Sequence, residues 1–327
     1  MDQISIIDEL PKFAQLGIGI AVFVVVVGLL LFLVDKLPGY DKGRFAALVF
    51  LLPAGILLLI GMIVPAVRTF LLSFFDGKGE DFVGLDNYGW MFTEDDMQQV
   101  LINTLIWVIA VPVVATATGL IYAILIDKTR TEALAKALVF LPMGISFVGA
   151  GIIWKFVYAF KPVGQEQIGL LNQIVIWFGG SPQQWLINEP WNTFFLIVVM
   201  VWIQTGFATV VLSASIKSIP GEIVEAARLD GVNAWQMFWR VTVPSIRPAL
   251  IVVVVTMSIA ALKLFDLVRT MTAGNFGTSV IANEMYTQAF RLGQQGRGSA
   301  MAVVLFLLVT PIIIYQVRAM RARREER

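Results

Sequence analysis

The sequence predicts an all-α, polytopic helical membrane protein of about seven transmembrane helices, on three observations. Hydrophobic residues fill 58% of its 327 positions and charged ones 14%, against about 25% charged in an ordinary soluble domain; mean hydropathy is +0.80. Uncharged runs long enough to cross a bilayer recur along the chain. Lys and Arg gather in alternate loops between those runs, the asymmetry that marks a cytoplasmic side.

A hydrocarbon core of about 30 Å needs roughly 20 apolar residues at about 1.5 Å each. The runs read as Phe13–Val34, Phe45–Val67, Leu105–Ile126, Ala137–Trp154, Trp191–Ile216, Pro248–Leu262 and Gly298–Val317. The sixth is short unless it continues past Lys263. None alternates apolar with polar residues, so a barrel is disfavoured. The leader of the first run carries Asp2, Asp8 and Glu9 against Lys12. A secretory leader is positive there, so this run is expected to be a retained span.

Orientation follows from the basic residues. With the C-terminus inside, the inner segments hold Lys36, Lys42 and Arg44; Lys128, Arg130 and Lys136; Lys217, Arg228, Arg240 and Arg247; and Arg318, Arg321, Arg323, Arg324 and Arg327. The loop Asp76–Gln98 is acidic, with Lys78 its only basic residue, which suits the outside. Seven spans then leave the N-terminus outside. Three longer outer loops are expected, at about 76–98, 160–190 and 270–297.

Cys and His are both absent, which removes disulfides, thiol nucleophiles, imidazole bases and the usual zinc and haem ligands. No metal site, cofactor or catalytic residue is expected. A net charge of +1 argues against nucleic acid. A nucleotide-binding loop needs G-x-x-x-x-G-K-[ST]. Here Gly77-Lys78 is followed by Gly79, and Leu72 stands where the first glycine should be; Gly293–Ser299 is glycine-rich but has no Lys. Any ATP-driven work therefore needs another chain.

The inner loop 217–247 is the longest on its side and is patterned as structure. Ser218 is placed to cap a helix with Pro220 in its first turn, and Glu222 and Glu225 suit the positive end of the helix dipole. Ile223, Ala226 and Ala227 are expected on one face, and Gly231 ends the run. A second short helix through Trp235, Met237, Phe238 and Val241 is expected to stop at Pro244. By pattern alone this loop reads equally as an amphipathic helix on lipid headgroups or as a docking surface.

Glu225-Ala226-Ala227, three residues, Gly231, nine residues, then Val241-Thr242-Val243-Pro244 resembles the EAA loop of binding-protein-dependent ABC importer permeases, E-A-A-x3-G-x9-I-x-L-P. Val241 and Val243 are its mild departures, and Asp230 is commonly seen before the glycine. Val83 to Tyr88, Asn103-Thr104-Leu105, Leu141-Pro142 and Phe265-Asp266 through Gly274 resemble the sugar-permease branch of maltose and α-glucoside type. Gly149 to Tyr158 and Ile168 to Asn172 are similar to its α-glucoside members.

The resemblance runs from about residue 46 onward. It implies an extra span and cytoplasmic loop at 1–44, followed by a type I importer permease domain at 45–327. It also implies a second related permease, ABC ATPase subunits, an external sugar-binding protein and a bacterial cytoplasmic membrane. Glu225, Ala226, Ala227, Asp230, Gly231 and Pro244 become the ATPase-coupling residues, on a loop whose displacement switches access to the pore. The substrate so implied is a disaccharide or α-glucoside.

Polar groups inside spans face a cavity or a partner. Trp202, Gln204 and Phe207 lie on the fifth span; Thr256, Lys263 and Asp266 lie on the sixth and its outer end. Aromatic faces and polar side chains are what a sugar site needs. Lys263 and Asp266, three apart, would share a helical face and pair, and a purely structural ion pair there accounts for them equally well. By resemblance, Gln204, Phe207, Thr256 and Lys263 match sugar-contacting positions. Ala260 replaces a polar residue of that branch and Met143 an aromatic one. The rival reading is an ion-coupled secondary transporter or channel, which would keep buried Asp, Glu or His relays in its spans. These spans nearly lack them.

Overall fold

The computed structural model describes residues 12–35, 42–127 and 129–325. The acidic leader, Lys36, Lys128 and Arg327 lie outside them. The chain divides into two units, 1–68 and 69–327, and among the described residues all regular structure is helical apart from one isolated bridge, Phe75 to Phe82.

The first unit holds α1 (Lys12–Asp35), α2 (Lys42–Leu58) and a π-helical turn, Leu59–Ile63. The helix α3 (Val64–Leu72) follows at once. The π turn has a cause. Pro65 cannot donate a hydrogen bond, and its ring would clash with the carbonyl four residues back in a regular helix. Widening the preceding turn, so that the Val64 N–H reaches Leu59 O, makes room for it.

The second unit is built on α4 (Asp86–Thr93), α5 (Asp95–Ile126), α6 (Glu132–Phe140), α7 (Phe147–Val157), α8 (Leu170–Trp177) and α9 (Trp191–Lys217). After it come α10 (Gly221–Leu229), α11 (Ala234–Gln236), α12 (Val243–Leu262), α13 (Asp266–Met271), α14 (Ile281–Tyr286) and α15 (Gln295–Glu325).

Five helices among the described residues are long and apolar enough to cross a membrane, or six when one bent pair counts as a single span. The described apolar stretch Ala14–Leu29 belongs to the 24-residue helix α1, so of the seven expected spans five or six are found among the described residues. Two other expectations change shape. The run Ala137–Trp154 is not straight: α6 and α7 meet at 102°. Pro142 opens a 3-10 turn at Leu141–Gly144, Ile145 is extended, and Ser146 caps α7 by accepting the Gly149 N–H at 3.1 Å. The sixth run does not pass Lys263; it lengthens in the other direction, as one helical segment from Ala234 to Leu262. Pro244 therefore does not stop the short helix before it. A second π turn, Met237–Thr242, sits just ahead of Val243-Pro244, repeating the device at Val64-Pro65.

Lipid tails are as apolar as leucine, so helices in a bilayer associate through close packing rather than by escaping water. Leu125 and Phe306 accordingly stay on the outside of the bundle. The interior is three stacked clusters around α5. At its C-terminal end are Ala115, Ala123, Ala208, Leu212, Ile246 and Val253. In the middle are Trp107, Val111, Leu196, Met200, Ile203 and Leu267. At its N-terminal end are Met91, Met97, Val100, Ile281 and Met301. Ala115, Gly119 and Ala123 recur every four residues, which lets α9 approach closely. A Cβ on Gly119 would run into Ala208 Cβ and come within 3.0 Å of the Thr209 backbone nitrogen.

The three expected outer loops are largely ordered. Buried Asn87 donates to the carbonyls of Ser73 (2.9 Å) and Phe75 (2.7 Å), closing the acidic loop. The Asp76 carboxylate accepts the Glu80 N–H at 2.8 Å, and that bond, ahead of those from its other backbone neighbours, holds its pKa below the ordinary value. In the last loop, Asn103 donates to Gly277 O (2.5 Å) and Ser279 O (3.0 Å), and Thr104 Oγ1 accepts the Ile281 N–H at 3.0 Å. These bonds seat the loop on α5.

Gly119→Val should destabilise the protein by about 1–3 kcal/mol, the usual cost of overpacking. Gly55→Ala, where nothing lies within 4 Å, should be neutral or better. Thermal unfolding of the purified chains in one detergent checks both, and equal midpoints for Gly119→Val and the unaltered chain would contradict the packing account.

Candidate functional site

The loop 217–247 forms a projecting helix held rigidly at both ends. Ser218 does not cap it: its hydroxyl donates back to Ser215 O at 2.7 Å and it closes α9 instead. Pro220 takes the capping position, since its fixed φ suits a helix entrance and it has no amide to leave unpaired. Glu222 lies in the first turn of α10.

At the far end Gly231 adopts φ +76°, the left-handed conformation glycine enters without steric cost. The Val232 N–H reaches Ala227 O (3.2 Å) and the Gly231 N–H reaches Arg228 O (3.0 Å), the crossed pair of a Schellman stop. Asn233 then starts the next helix with a reciprocal capping box, its side chain accepting the Gln236 N–H while Gln236 accepts the Asn233 N–H. The turn between α10 and α11 has little freedom left.

The face expected from Ile223, Ala226 and Ala227 is split. Ala227 is buried and Val224 half-buried, whereas Ile223 and Ala226 point outward beside Glu225, Arg228 and Asp230. Leu229 is 85% exposed and Trp235 70%. Isolated apolar residues at a surface are ordinary; Trp235 and Trp239, both exposed and with ring centroids 5.7 Å apart, form a patch that favours contact. Pro244 is exposed at the base of this projection, just after the π turn.

Behind α10 lies a cleft of about 1000 Å³ whose walls include Asp127, Glu132, Lys217, Glu225 and Arg228. Glu132 accepts from both Lys136 and Lys217, each at 2.6 Å. This three-residue bridge ties the start of the bent span to the end of α9, one turn before the projecting helix. The Glu132–Lys136 spacing is legible in the sequence as an i, i+4 pair. Lys217, distant in the chain, is not.

The six residues proposed for a sugar are dispersed. Trp202 packs edge-on against Trp154 (5.6 Å), which in turn meets Tyr158 (5.2 Å), so it joins α9 to α7. Phe207 is half-buried against the cluster of Ala115 and Leu212. Gln204 is buried, at 8% exposure, and among the described residues its amide has no hydrogen-bond partner. Thr256, Lys263 and Asp266 are exposed. Lys263 and Asp266 are not on one helix and do not pair: α12 ends at Leu262 and Asp266 opens α13. None of the six lines the clefts at the two ends of the bundle. Thr256 on α12 and Lys263 just past its end are exposed, whereas Ala260 between them is half-buried against the central cluster.

Residues 98–325 match the family described as "Binding-protein-dependent transport system inner membrane component". The chain is similar to the osmoprotective compounds uptake permease protein of Synechocystis, with 50% identity covering 84% of this chain and 99% of that one. It is similar also to the alpha-glucoside transport system permease protein of Rhizobium meliloti, with 46% identity covering 85% and 87%. The trehalose/maltose transport system permease protein of Thermococcus litoralis is 29% identical over 89% and 99%. Among solved structures, a chain of a bacterial alginate ABC transporter in complex with an alginate pentasaccharide-bound periplasmic protein superposes with a TM-score of 0.71 over 84% of this chain and 93% of that one; its 22% identity makes this a likeness of fold.

Proposed function

The chain belongs to the family of binding-protein-dependent transport system inner membrane components, and from that premise we propose that it is one half of the pore of an ATP-driven importer of small α-glucosides. It works beside a second permease, with ABC ATPase subunits on the inside and a solute-binding protein on the outside, and carries no catalytic group itself.

The observation that carries this reading is α10 with its stapled exit. A helix delivers a push only if it moves as a body. The Schellman stop at Gly231 and the capping box at Asn233 make the projection stiff, while Glu225, Ala226 and Asp230 remain exposed for a partner. Ala227 anchors the inner side and Pro244 marks the joint with α12. The basic residues of the alternate loops support the C-terminus and this projection on the cytoplasmic side and the N-terminus outside. Residues 1–44 are an addition to the permease domain, beginning well before the family match at 98.

The relatives of 50% and 46% identity, named for osmoprotective compounds and for alpha-glucosides, support a compact glucoside as substrate. Gln204, half-buried Phe207 and exposed Thr256 and Lys263 face it across the pore with the second permease, Gln204 offering an amide that no described residue uses. Trp202 backs that wall and Asp266 sits at its rim.

Glu225→Ala and Gly231→Val should each lower α-glucoside uptake at least about tenfold, the scale of one allosteric coupling, with ATP hydrolysis no longer responding to the loaded binding protein. Normal uptake in both would remove α10 from the mechanism. In this Cys-free chain, a cysteine at Asp86 should label with an impermeant reagent from outside and one at Lys128 only after the membrane is opened; the reverse pattern would invert the topology. Gln204→Ala and Lys263→Ala should each raise the half-saturating glucoside concentration for uptake about fivefold, as one lost hydrogen bond does, in complexes that still assemble. Unchanged values in both would displace the pore site.

A further inference from the structure

We infer that a second polar cavity, at the end of the bundle remote from 217–247, binds an uncharged polyhydroxy solute. It encloses about 350 Å³, and its walls include Trp90, Glu94, Asp96, Ser279, Glu284 and Gln288. The two ends are well separated, since α5 begins beside this cavity and ends beside the inner cleft, a run of about 48 Å at 1.5 Å per residue.

The cavity is rich in hydrogen-bond acceptors, with the Trp90 indole N–H as a donor and the Gln99 amide already bonded to Asn103 Oδ1 at 3.0 Å. Gln288 is only 6% exposed. Its amide nitrogen donates to Glu284 Oε1 at 2.9 Å, which leaves its own Oε1 buried with no partner. Ser279 spends its hydroxyl hydrogen on Glu284 Oε2 at 3.3 Å. Asn283, 1% exposed behind Ser279, likewise keeps an unpartnered Oδ1. Among the described residues, no Lys or Arg forms an ion pair with Glu94, Asp96 or Glu284. The neighbouring cation, Arg297, sits on the Trp90 ring, 4.3 Å from its centroid. A buried acceptor left without a donor carries its full desolvation penalty, and among the described residues none supplies that donor to Gln288 Oε1 or Asn283 Oδ1.

Two features select a polyol over a cation. The carboxylates do not converge: no group of three or more acidic residues among the described ones could hold a metal ion. Glu94 and Asp96 come from the start of α5, whereas Glu284 and Gln288 come from α14 and the π turn after it. A point charge meets one set; hydroxyls spread over a ring meet both. The volume is at the low end of small-molecule sites, about 300–1000 Å³. The class of ligand follows from the glucoside reading above, whereas the cavity itself is independent of the pore residues.

The test is saturation-transfer NMR of methyl α-D-glucoside on the whole transporter in nanodiscs, with the external binding protein left out. Gln288→Leu should raise the dissociation constant at least about fivefold, the loss expected for one charge-linked hydrogen bond. Glu94→Gln combined with Asp96→Asn, both exposed at the rim, should do the same. The remote change Gln165→Leu should have no effect. A rise smaller than fivefold in both cavity variants overturns the inference, as does no binding to the unaltered complex. Loss of the signal on adding millimolar sodium or calcium overturns it too, by reassigning the cavity to a cation. If α-glucosides are taken up while the cavity variants bind normally, only this inference fails. If methyl α-D-glucoside binds through Gln288 but no glucoside is transported, the functional reading fails instead.

Discussion

No backbone amide or carbonyl can be left unpaired in hydrocarbon, where each costs several kcal/mol. That constraint reaches into every irregular feature of this chain. It makes all crossing segments helical, and it dictates how they cope with proline. At Val64-Pro65 and Val243-Pro244 the helix widens by one residue into a π turn instead of breaking. Between α6 and α7 it breaks outright, and there a 3-10 turn and the Ser146 cap take up the freed groups.

The same constraint governs how helices meet. With no water to escape inside a bilayer, the contact between α5 and α9 rests on proximity alone. The small-residue stripe of Ala115, Gly119 and Ala123 admits Ala208 and Thr209 at backbone distance. Where polar side chains do cross between elements, they are paired, as Thr118 with Thr205 at 3.1 Å and Tyr158 with Phe195 O at 2.9 Å. Among the described residues the buried polar atoms left unpaired are Trp107 Nε1, Ser213 Oγ, Arg269 Nη1, Asn283 Oδ1 and Gln288 Oε1.

Much of the fold was legible because hydropathy reports what lipid will accept. Trp191–Ile216 matches α9 almost end to end, and Gly298–Val317 lies inside the longer α15. Proline was the main source of misreading. A sequence shows that Pro142 and Pro244 interrupt the regular pattern, but not whether the chain bends by 102° or runs on through a wide turn. That choice depends on which neighbours can take the released carbonyl. The EAA string was legible as a motif, and Gly231 as its stop. The rotation that buries Ala227 and exposes Ala226 was not, since two adjacent alanines carry no amphipathic signal. For the polar residues of the spans, spacing indicated a face, yet Lys263 and Asp266 shared one only on paper because the helix ends between them.

Continuity from Ala234 to Leu262 turns residues 234–262 into a lever about 44 Å long at 1.5 Å per residue. A tilt of about 10° imposed at Trp235 sweeps the opposite tip, next to Lys263, sideways by roughly 8 Å on that geometry. Thr256, part way along, travels proportionately less. One rocking rod thus grades its own motion, small beside the projecting loop and wide at the Lys263 end.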